Sequence, residues 1–273
     1  MPRIPDVLLE SVVYLFKDEE SAQAGTGAGG TGFVVDVPGN SATRHTYVLS
    51  NVHVVRNGCS TLRLNTTDGG VETLTLPLEA WIDHEDGDDV CAAPIELDHE
   101  GWAVTALPWE DFCPTEERFE ELNVGVGDDV LMIGRFSGHT GKQQNAPLAR
   151  FGNIAMMDDE RVKDGRGLDV DAYLVEMRSM PGFSGSPVFV VIGAGSYRGA
   201  YGTEKAAQMM PFYSETIGLL GIDTGHKPIT HPVLDPNTDK PVDPLTVVKQ
   251  NSGVAIVAPY YKIDHLLNEQ FTD

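Results

Sequence analysis

Short runs of apolar and β-branched residues recur along the whole chain, and turn-forming residues separate them. The 29 glycines and 17 prolines favour frequent turns over long helices. Strands of this length and spacing are typical of β-sandwiches and β-barrels. We therefore predict an all-β fold, with strands at residues 11–16, 32–37, 46–50, 129–133, 173–176, 187–191, 217–222 and 253–257.

Three segments depart from this strand pattern. Residues 260–271 are predicted to form a helix, because Ile263, Leu266, Leu267 and Phe271 fall on one helical face. The polar stretches 157–169 and 224–251 are predicted as surface insertions. The second contains five prolines, which lack an N–H group, so we predict a loop there rather than a strand.

Charge and cysteine content indicate which partners, cofactors and metal sites this protein is not expected to have. With 41 acidic and 19 basic residues, the net charge is −22, so we expect neither nucleic acid nor an anionic membrane as a partner. No apolar run is long enough to span a membrane, and the N-terminus lacks a signal-peptide core, so we expect a cytoplasmic location. The three cysteines lack the CxxC spacing of a zinc site. We predict free thiols that are buried or half-buried, with no metal and no cofactor.

The strongest motif is a glycine- and serine-rich turn before an apolar strand. Residues 181–189 read PGFSGSPVF, with Ser184 at the centre. A serine hydroxyl is a nucleophile only when a base removes its proton and donors stabilise the oxyanion. Gly182 lets the backbone turn so that the amides of Gly182 and Ser184 point at one spot. The alternative is an ordinary turn between two strands.

Two further segments supply a candidate base and a candidate carboxylate. Residues 46–55 read TYVLSNVHVV, in which His53 ends an apolar strand; a buried structural histidine is the alternative. Residues 86–95 read DGDDVCAAPI, and Asp89 directly precedes an apolar run. An aspartate there can orient the imidazole of a histidine. Asp88 is the alternate choice, and an acidic hairpin turn without function is the other interpretation.

A glycine pattern suggests a different class of protein. Gly27, Gly29 and Gly32 fit the spacing GxGxxG, which in dinucleotide-binding proteins follows a strand and opens a helix. Here the strand-like residues 33–37 follow the glycines, so the pattern does not favour nucleotide binding.

The order His53, Asp89, Ser184 in an all-β chain resembles the trypsin-like, chymotrypsin-fold serine peptidases. The segments GTGFVV at 30–35, YVLSNVHVV at 47–55, DVCA at 89–92 and SGSPVF at 184–189 are similar to the bacterial branch with glutamyl endopeptidases and high-temperature-requirement proteases. The resemblance covers roughly residues 8–268. It implies two six-stranded antiparallel β-barrels with the active site between them and a short C-terminal helix.

The resemblance also implies a domain division. Residues 8–97 would form the N-terminal barrel with the histidine and aspartate, and 98–122 the connector. Residues 123–268 would form the C-terminal barrel with the serine and the helix. The implied function is a serine endopeptidase acting through an acyl-enzyme, and the alternative is a catalytically silent binding module. Its expected partners are a protein or peptide substrate and a separate regulatory protein.

The sequence departs from the family at two places. Phe183 replaces the aspartate that pairs with a freed N-terminus in secreted trypsins, so we predict no such activation and a Phe183 that is at least partly buried. Asp223 stands where glutamyl endopeptidases carry a histidine, so glutamate specificity does not carry over. The resemblance places Arg178 and Asp223 at the base of the specificity pocket. We expect them to neutralise each other, without a strong preference for Arg or Lys substrates.

Overall fold

The computed structural model describes residues 3–39, 43–193, 216–243 and 245–269, and it confirms the all-β prediction. Eight strands form one N-terminal sheet in the order β5-β4-β1-β2-β3-β7-β6, with β8 pairing parallel to β2. Their bounds are β1 Val12–Phe16, β2 Gly29–Pro38, β3 Arg44–Ser50, β4 Thr61–Asn65, β5 Val71–Thr75, β6 Ile82–Asp83, β7 Cys91–Pro94 and β8 Leu107–Pro108.

Six strands of the C-terminal half form a closed barrel in the order β10-β13-β16-β15-β14-β9. Strands β11 and β12 form a separate short hairpin within the predicted insertion 157–169 and just after it. The bounds are β9 Asp129–Gly134, β10 Leu148–Met156, β11 Val162–Lys163, β12 Asp169–Val170, β13 Tyr173–Glu176, β14 Pro187–Ile192, β15 Thr216–Pro232 and β16 Val247–Pro259.

All eight strands predicted from the apolar runs are present, and the closed six-stranded barrel is confirmed in the C-terminal half. The N-terminal half has eight strands in its sheet rather than six. The difference includes the two-residue strands β6 and β8, which are too short to leave an alternating pattern in the sequence.

The helices are short except for the last. Helix α6 covers Tyr260–Glu269 and confirms the predicted C-terminal helix, with Ile263, Leu266 and Leu267 buried; Phe271 lies outside the described residues. The others are α1 Asp6–Glu10, α2 Glu19–Ala24, α3 Val52–Arg56, α4 Trp109–Phe112, α5 Glu116–Glu121 and one 3₁₀ turn, Leu78–Ala80. No helix of the described residues is long and apolar enough to cross a membrane.

The sequence predicts a loop over the proline-rich stretch 224–251, and this is wrong for residues 224–232 and 247–251, which belong to β15 and β16. Strands β15 and β16 continue past the barrel as a two-stranded ribbon, with Pro228 opposite Asn251 and Pro232 opposite Val247. Each strand of such a ribbon has one unpaired edge, so a proline can lie in it without removing an inter-strand bond. The prediction is confirmed for the described residues 233–243 and 245–246, which connect the two strands outside β15 and β16.

Three apolar clusters hold the fold together. One fills the N-terminal sheet, one fills the C-terminal barrel, and a third lies between the two halves and under α6. Along β1, Val13 and Leu15 belong to the first cluster, whereas Tyr14 and Phe16 belong to the third. Because alternate side chains of a strand point to opposite faces, β1 must be apolar at every position.

The predicted free thiols are confirmed among the three cysteines. Cys59 and Cys91 are buried and Cys113 is half-buried, and none forms a disulfide.

Candidate active site

His53 lies in the short helix α3, directly after strand β3. Val54 and Val55 are buried and anchor the helix on the N-terminal core, while about a third of the His53 side chain remains exposed. The histidine is therefore held by a rigid element while its ring reaches the surface between the two halves.

Asp89 binds His53 at two points. Its Oδ2 lies 2.6 Å from His53 Nδ1, and its Oδ1 accepts a hydrogen bond of 2.9 Å from the His53 backbone N–H. Asn51 Nδ2 donates to the Asp89 carbonyl at 2.7 Å, which fixes the backbone that carries the carboxylate. The Asp89 side chain is only 6% exposed, so water competes little for these bonds. The contact orients the ring with Nδ1 as donor and leaves Nε2 for chemistry.

Asp88, the alternate choice, faces another group of residues. Its Oδ2 lies 2.9 Å from Lys262 Nζ and 3.4 Å from His84 Nδ1. The geometry thus assigns the orienting contact to Asp89.

Ser184 lies in a tight turn before β14. Gly182 and Gly185 on either side have φ of +102° and +89°, a region that favours glycine. The Thr31 N–H donates to the Ser184 carbonyl at 2.8 Å, which attaches the turn to β2. A Cβ on Gly185 would lie 2.0 Å from the Thr31 carbonyl oxygen, so only glycine fits there.

The turn and the histidine helix meet at Gly30 of β2. A Cβ on Gly30 would lie 3.0 Å from the Ser184 carbonyl oxygen and 2.7 Å from Val54 Cγ1. Gly30 is thus in contact with the residue after His53 on one side and with Ser184 on the other. The Ser184 hydroxyl makes no hydrogen bond with His53, both of which the structure describes.

The peptide groups around Ser184 offer free donors. Within the described part of the chain, the N–H groups of Gly182 and Ser184 have no backbone acceptor. The Gly182 carbonyl accepts from Thr31 Oγ1 at 2.7 Å, and Thr31 Oγ1 in turn accepts from the Arg135 N–H at 2.8 Å. These bonds hold one side of the turn while the two amides remain available for an anionic oxygen.

The expected pairing of Arg178 with Asp223 is wrong. Arg178 is exposed, whereas Asp223 is completely buried and accepts a 2.7 Å hydrogen bond from Ser179 Oγ. Arg178 and Ser179 follow strand β13, where the Ser179 N–H donates to the Met177 carbonyl at 3.1 Å, and it is Ser179 rather than Arg178 that is buried. Ser179 was missed because a lone serine after an arginine carries no signal; its place five residues before Ser184 was the available clue.

Asp223 is attached to the serine turn. Its carbonyl accepts from the Gly185 N–H and its N–H donates to the Ser186 carbonyl, both at 2.9 Å. Its Oδ1 is buried without a hydrogen-bond partner. Burial raises the pKa of Asp223 to about 7, against the lowering effect of the Ser179 hydrogen bond. A carboxyl group with a pKa near neutral pH is therefore hydrogen-bonded through its backbone to the serine turn.

Phe183 is completely buried, as predicted. The Arg150 guanidinium lies 5.4 Å from the centre of its ring. An apolar side chain in this place anchors the turn by packing rather than through an ion pair.

One acidic cluster has the composition of a metal site. Ligand atoms of His84, Asp86 and Asp88 lie within 4.8 Å of one another. The Lys262 ammonium lies 2.9 Å from Asp88 and already supplies positive charge there. The residues therefore fit a metal ion poorly.

No family model matches the sequence, and no curated protein matches it. Solved structures do. The protease domain of MamO from Magnetospirillum magneticum is 16% identical, with a TM-score of 0.55 over 96% of this chain and 98% of that one. An inactive mutant of Rv3671c from M. tuberculosis is 16% identical, with a TM-score of 0.48 over 96% of this chain and 87% of that one. The HtrA-type protease AlgW is 17% identical, with a TM-score of 0.47 over 88% and 52%. The chain has the fold of the trypsin-like serine proteases, which confirms the resemblance at the level of fold.

Proposed function

We propose that the protein is a serine endopeptidase with His53, Asp89 and Ser184 as its catalytic triad. The observation that carries the proposal is the double contact of Asp89 with the ring and backbone of His53. A buried carboxylate on Nδ1 is what a general base needs to hold one tautomer and to stabilise the imidazolium. The attachment of the serine turn to the neighbouring strand β2 supports the assignment of Ser184.

In this mechanism the Ser184 hydroxyl attacks the peptide carbonyl and His53 Nε2 takes the hydroxyl proton. The amides of Gly182 and Ser184 donate to the oxyanion of the tetrahedral intermediate. His53 then gives the proton to the leaving amine, and an acyl-enzyme on Ser184 remains. Water, deprotonated by His53, attacks the ester and releases the acid product.

A fluorophosphonate probe tests the nucleophile. We expect covalent labelling of the intact protein, no labelling of Ser184→Ala, and full labelling of Ser137→Ala. Ser137 is an exposed serine on the adjacent turn, whose N–H donates to the Pro181 carbonyl, so it is a matched control. Equal labelling of the intact protein and of Ser184→Ala would contradict the assignment.

Since Ser184 and His53 form no hydrogen bond, a catalytically silent binding module is the alternative function. In free enzymes such bonds are often long and shorten only with substrate, so this observation is compatible with both functions. The fluorophosphonate probe distinguishes the two functions. A folded protein that is not labelled but binds a peptide would be a catalytically silent binding module.

We further propose that Asp223 and Ser179 select a basic side chain next to the cleaved bond. Among the described residues no cation forms an ion pair with Asp223, and its buried Oδ1 has no hydrogen-bond partner. An Arg or Lys side chain would complete the unpartnered Oδ1. Because Asp223 ionises near pH 7, the preference should grow as the pH rises through 7.

Cleavage of a peptide library at pH 6 and pH 8 tests this specificity. We expect the ratio of cleavage after Arg and Lys to cleavage after Gln and Leu to be higher at pH 8 than at pH 6. Asp223→Asn should abolish this increase. Arg178→Ala is the matched control, since Arg178 is exposed and should leave the ratio unchanged. Equal cleavage after Leu and Arg at pH 8 would contradict the proposal without affecting the triad.

A further inference from the structure

Two arginines are buried in the region where the halves of the molecule meet. Arg63 of β4 is 0% exposed, and Arg135, directly after β9, is 1% exposed. Neither forms an ion pair with a carboxylate of the described residues, although the chain has 41 acidic residues. Buried charges are normally paired, because an ion without a partner loses its hydration without compensation.

The partners of both guanidinium groups are neutral. Arg63 donates to Asn145 Oδ1 at 3.0 Å and to the Lys142 carbonyl at 3.3 Å. Arg135 donates to the Gly27 carbonyl at 2.7 Å, and its Cζ lies 4.4 Å from the centre of the Phe16 ring. These contacts satisfy some donors but leave both positive charges uncompensated.

Several donors of the two arginines have no acceptor. Arg63 Nε, Arg135 Nε and Arg135 Nη1 are buried without a hydrogen-bond partner, and so is the hydroxyl of Tyr14. Tyr14 lies directly opposite Arg63 in the β1–β4 pair. Burial lowers the pKa of both arginines, and the charge of Arg63 lowers that of Arg135 further. The two cations are therefore close enough to repel each other.

The glycine-rich segment 25–29 lies next to both arginines. A Cβ on Gly25 would lie 3.6 Å from Arg63 Cζ, and one on Gly29 would lie 2.9 Å from Arg135 Nη1. The N–H groups of Gly27 and Ala28, both exposed, donate to no backbone acceptor in the described residues. The segment thus lies against both arginines through Gly25 and Gly29.

We propose that Arg63, Arg135 and Tyr14 form a binding site for a small tetrahedral oxyanion such as inorganic phosphate or sulfate. Guanidinium groups bind such anions through charge-assisted, paired hydrogen bonds, and the unfilled donors here are of that kind. One anion would compensate both cations. The net charge of −22 does not prevent this, because salt screens distant charges beyond about 8 Å, whereas the arginines act at contact.

The site is connected to the serine turn but does not depend on peptidase activity. The Arg135 N–H donates to Thr31 Oγ1, which donates to the Gly182 carbonyl. An anion that holds Arg135 would therefore also restrain Gly182.

Phosphate binding is tested by calorimetric titration and by melting temperature, with chloride at equal ionic strength as reference. At a phosphate concentration about 20-fold above its dissociation constant, we expect a rise of about 4–7 °C in the intact protein. Arg63→Met and Arg135→Met should lose the rise. Arg118→Met should keep it, because that side chain is 48% exposed and pairs with Glu121 on the surface.

A second measurement covers variants that fold poorly. Without phosphate, Arg63→Met should melt no lower than the intact protein, because the substitution removes an uncompensated buried charge. If the methionine variants do not fold, heat of phosphate binding to the intact protein decides the question. Identical behaviour in phosphate and chloride would overturn the proposal and leave internal water as the partner of these donors. A phosphate response that persists in both methionine variants would also overturn it.

Discussion

Asp89 holds both the ring and the backbone of His53, so one carboxylate sets the position and the orientation of the imidazole. An amide in its place would keep the shape but present the wrong group to Nδ1. The effect of Asp89→Asn on kcat therefore shows whether Asp89 orients the imidazole or is only buried beside it.

We predict that Asp89→Asn lowers kcat by about 10⁴ and Ser184→Ala by about 10⁶. Peptide hydrolysis, corrected for the folded fraction, measures both. Asp88→Asn is the control, because Asp88 contacts Lys262 and His84 instead, and it should change kcat only a few-fold. A rate for Asp89→Asn within a few-fold of the intact protein would mean that another carboxylate orients His53.

Asp223 should make stability depend on pH. Its folded pKa of about 7 lies above the value of 3.8 for an ordinary aspartate. Below pH 4 both states are protonated and no stability is lost. Between pH 4 and 7 only the unfolded state loses its proton, so stability falls, by about 4 kcal/mol in all.

Denaturant unfolding of the intact protein and of Asp223→Asn at pH 4 and pH 8 checks this. The difference in unfolding free energy between the two proteins should shift in favour of the variant as the pH rises. A difference that does not change with pH would contradict the raised pKa.

Sequence reasoning predicts His53, Asp89 and Ser184 as the site because each lies in a motif with a stated geometric need, and the contact of Asp89 with His53 could be anticipated in this way. It failed at the partner of Asp223, because the predicted partner Arg178 is exposed and the adjacent Ser179 makes the contact. Which of two consecutive residues points inward depends on strand register, and residues 177–182 have no alternating pattern from which to read it. The partner Ser179 comes from this ambiguous segment.

At the level of elements, two turns contain a glycine of positive φ, Gly185 in the serine turn and Gly167 between β11 and β12, but their surroundings differ. Gly185 has positive φ and also lies against the Thr31 carbonyl, whereas Gly167 has φ of +84° but no atom near its missing Cβ. A substitution at Gly167 therefore tests backbone strain alone, whereas one at Gly185 tests strain together with steric contact.

We predict that Gly185→Ala costs several kcal/mol of stability and abolishes turnover, while Gly167→Ala costs only about 1 kcal/mol. The larger cost arises because the added Cβ must push the turn away from β2. Chemical denaturation and peptide hydrolysis measure the two effects. Equal costs would show that strain, rather than contact with Thr31, makes glycine necessary at 185.

The elements themselves were largely predictable where apolar runs were long. The ribbon of β15 and β16 was not, because its prolines indicate a loop unless the pairing partner is known. Two-residue strands such as β6 were also not predictable, since only their pairing with another strand defines them.

For the whole molecule, the three clusters are joined by shared strands. Alternate residues of β1 enter two different clusters, and those of β9 do so as well: Leu131 faces the region between the halves and Met132 the barrel. Neither half can lose its core without disturbing the cluster between them.

We therefore predict a single cooperative unfolding transition. In scanning calorimetry the ratio of van't Hoff to calorimetric enthalpy should be about 1. Val13→Ala, in the N-terminal cluster, and Met132→Ala, in the barrel cluster, should each lower the melting temperature of the whole molecule. Two separate transitions, each sensitive to only one substitution, would show that the halves unfold independently.

The ribbon that extends beyond the barrel has a consequence for how molecules of this protein meet in concentrated solution. An isolated pair of strands exposes two open edges, and unpaired N–H and C=O groups on such edges recruit further strands from other chains. Pro228 and Pro232 on β15 have no N–H group to offer. The same prolines that made the segment look like a loop thus protect it against edge-to-edge aggregation.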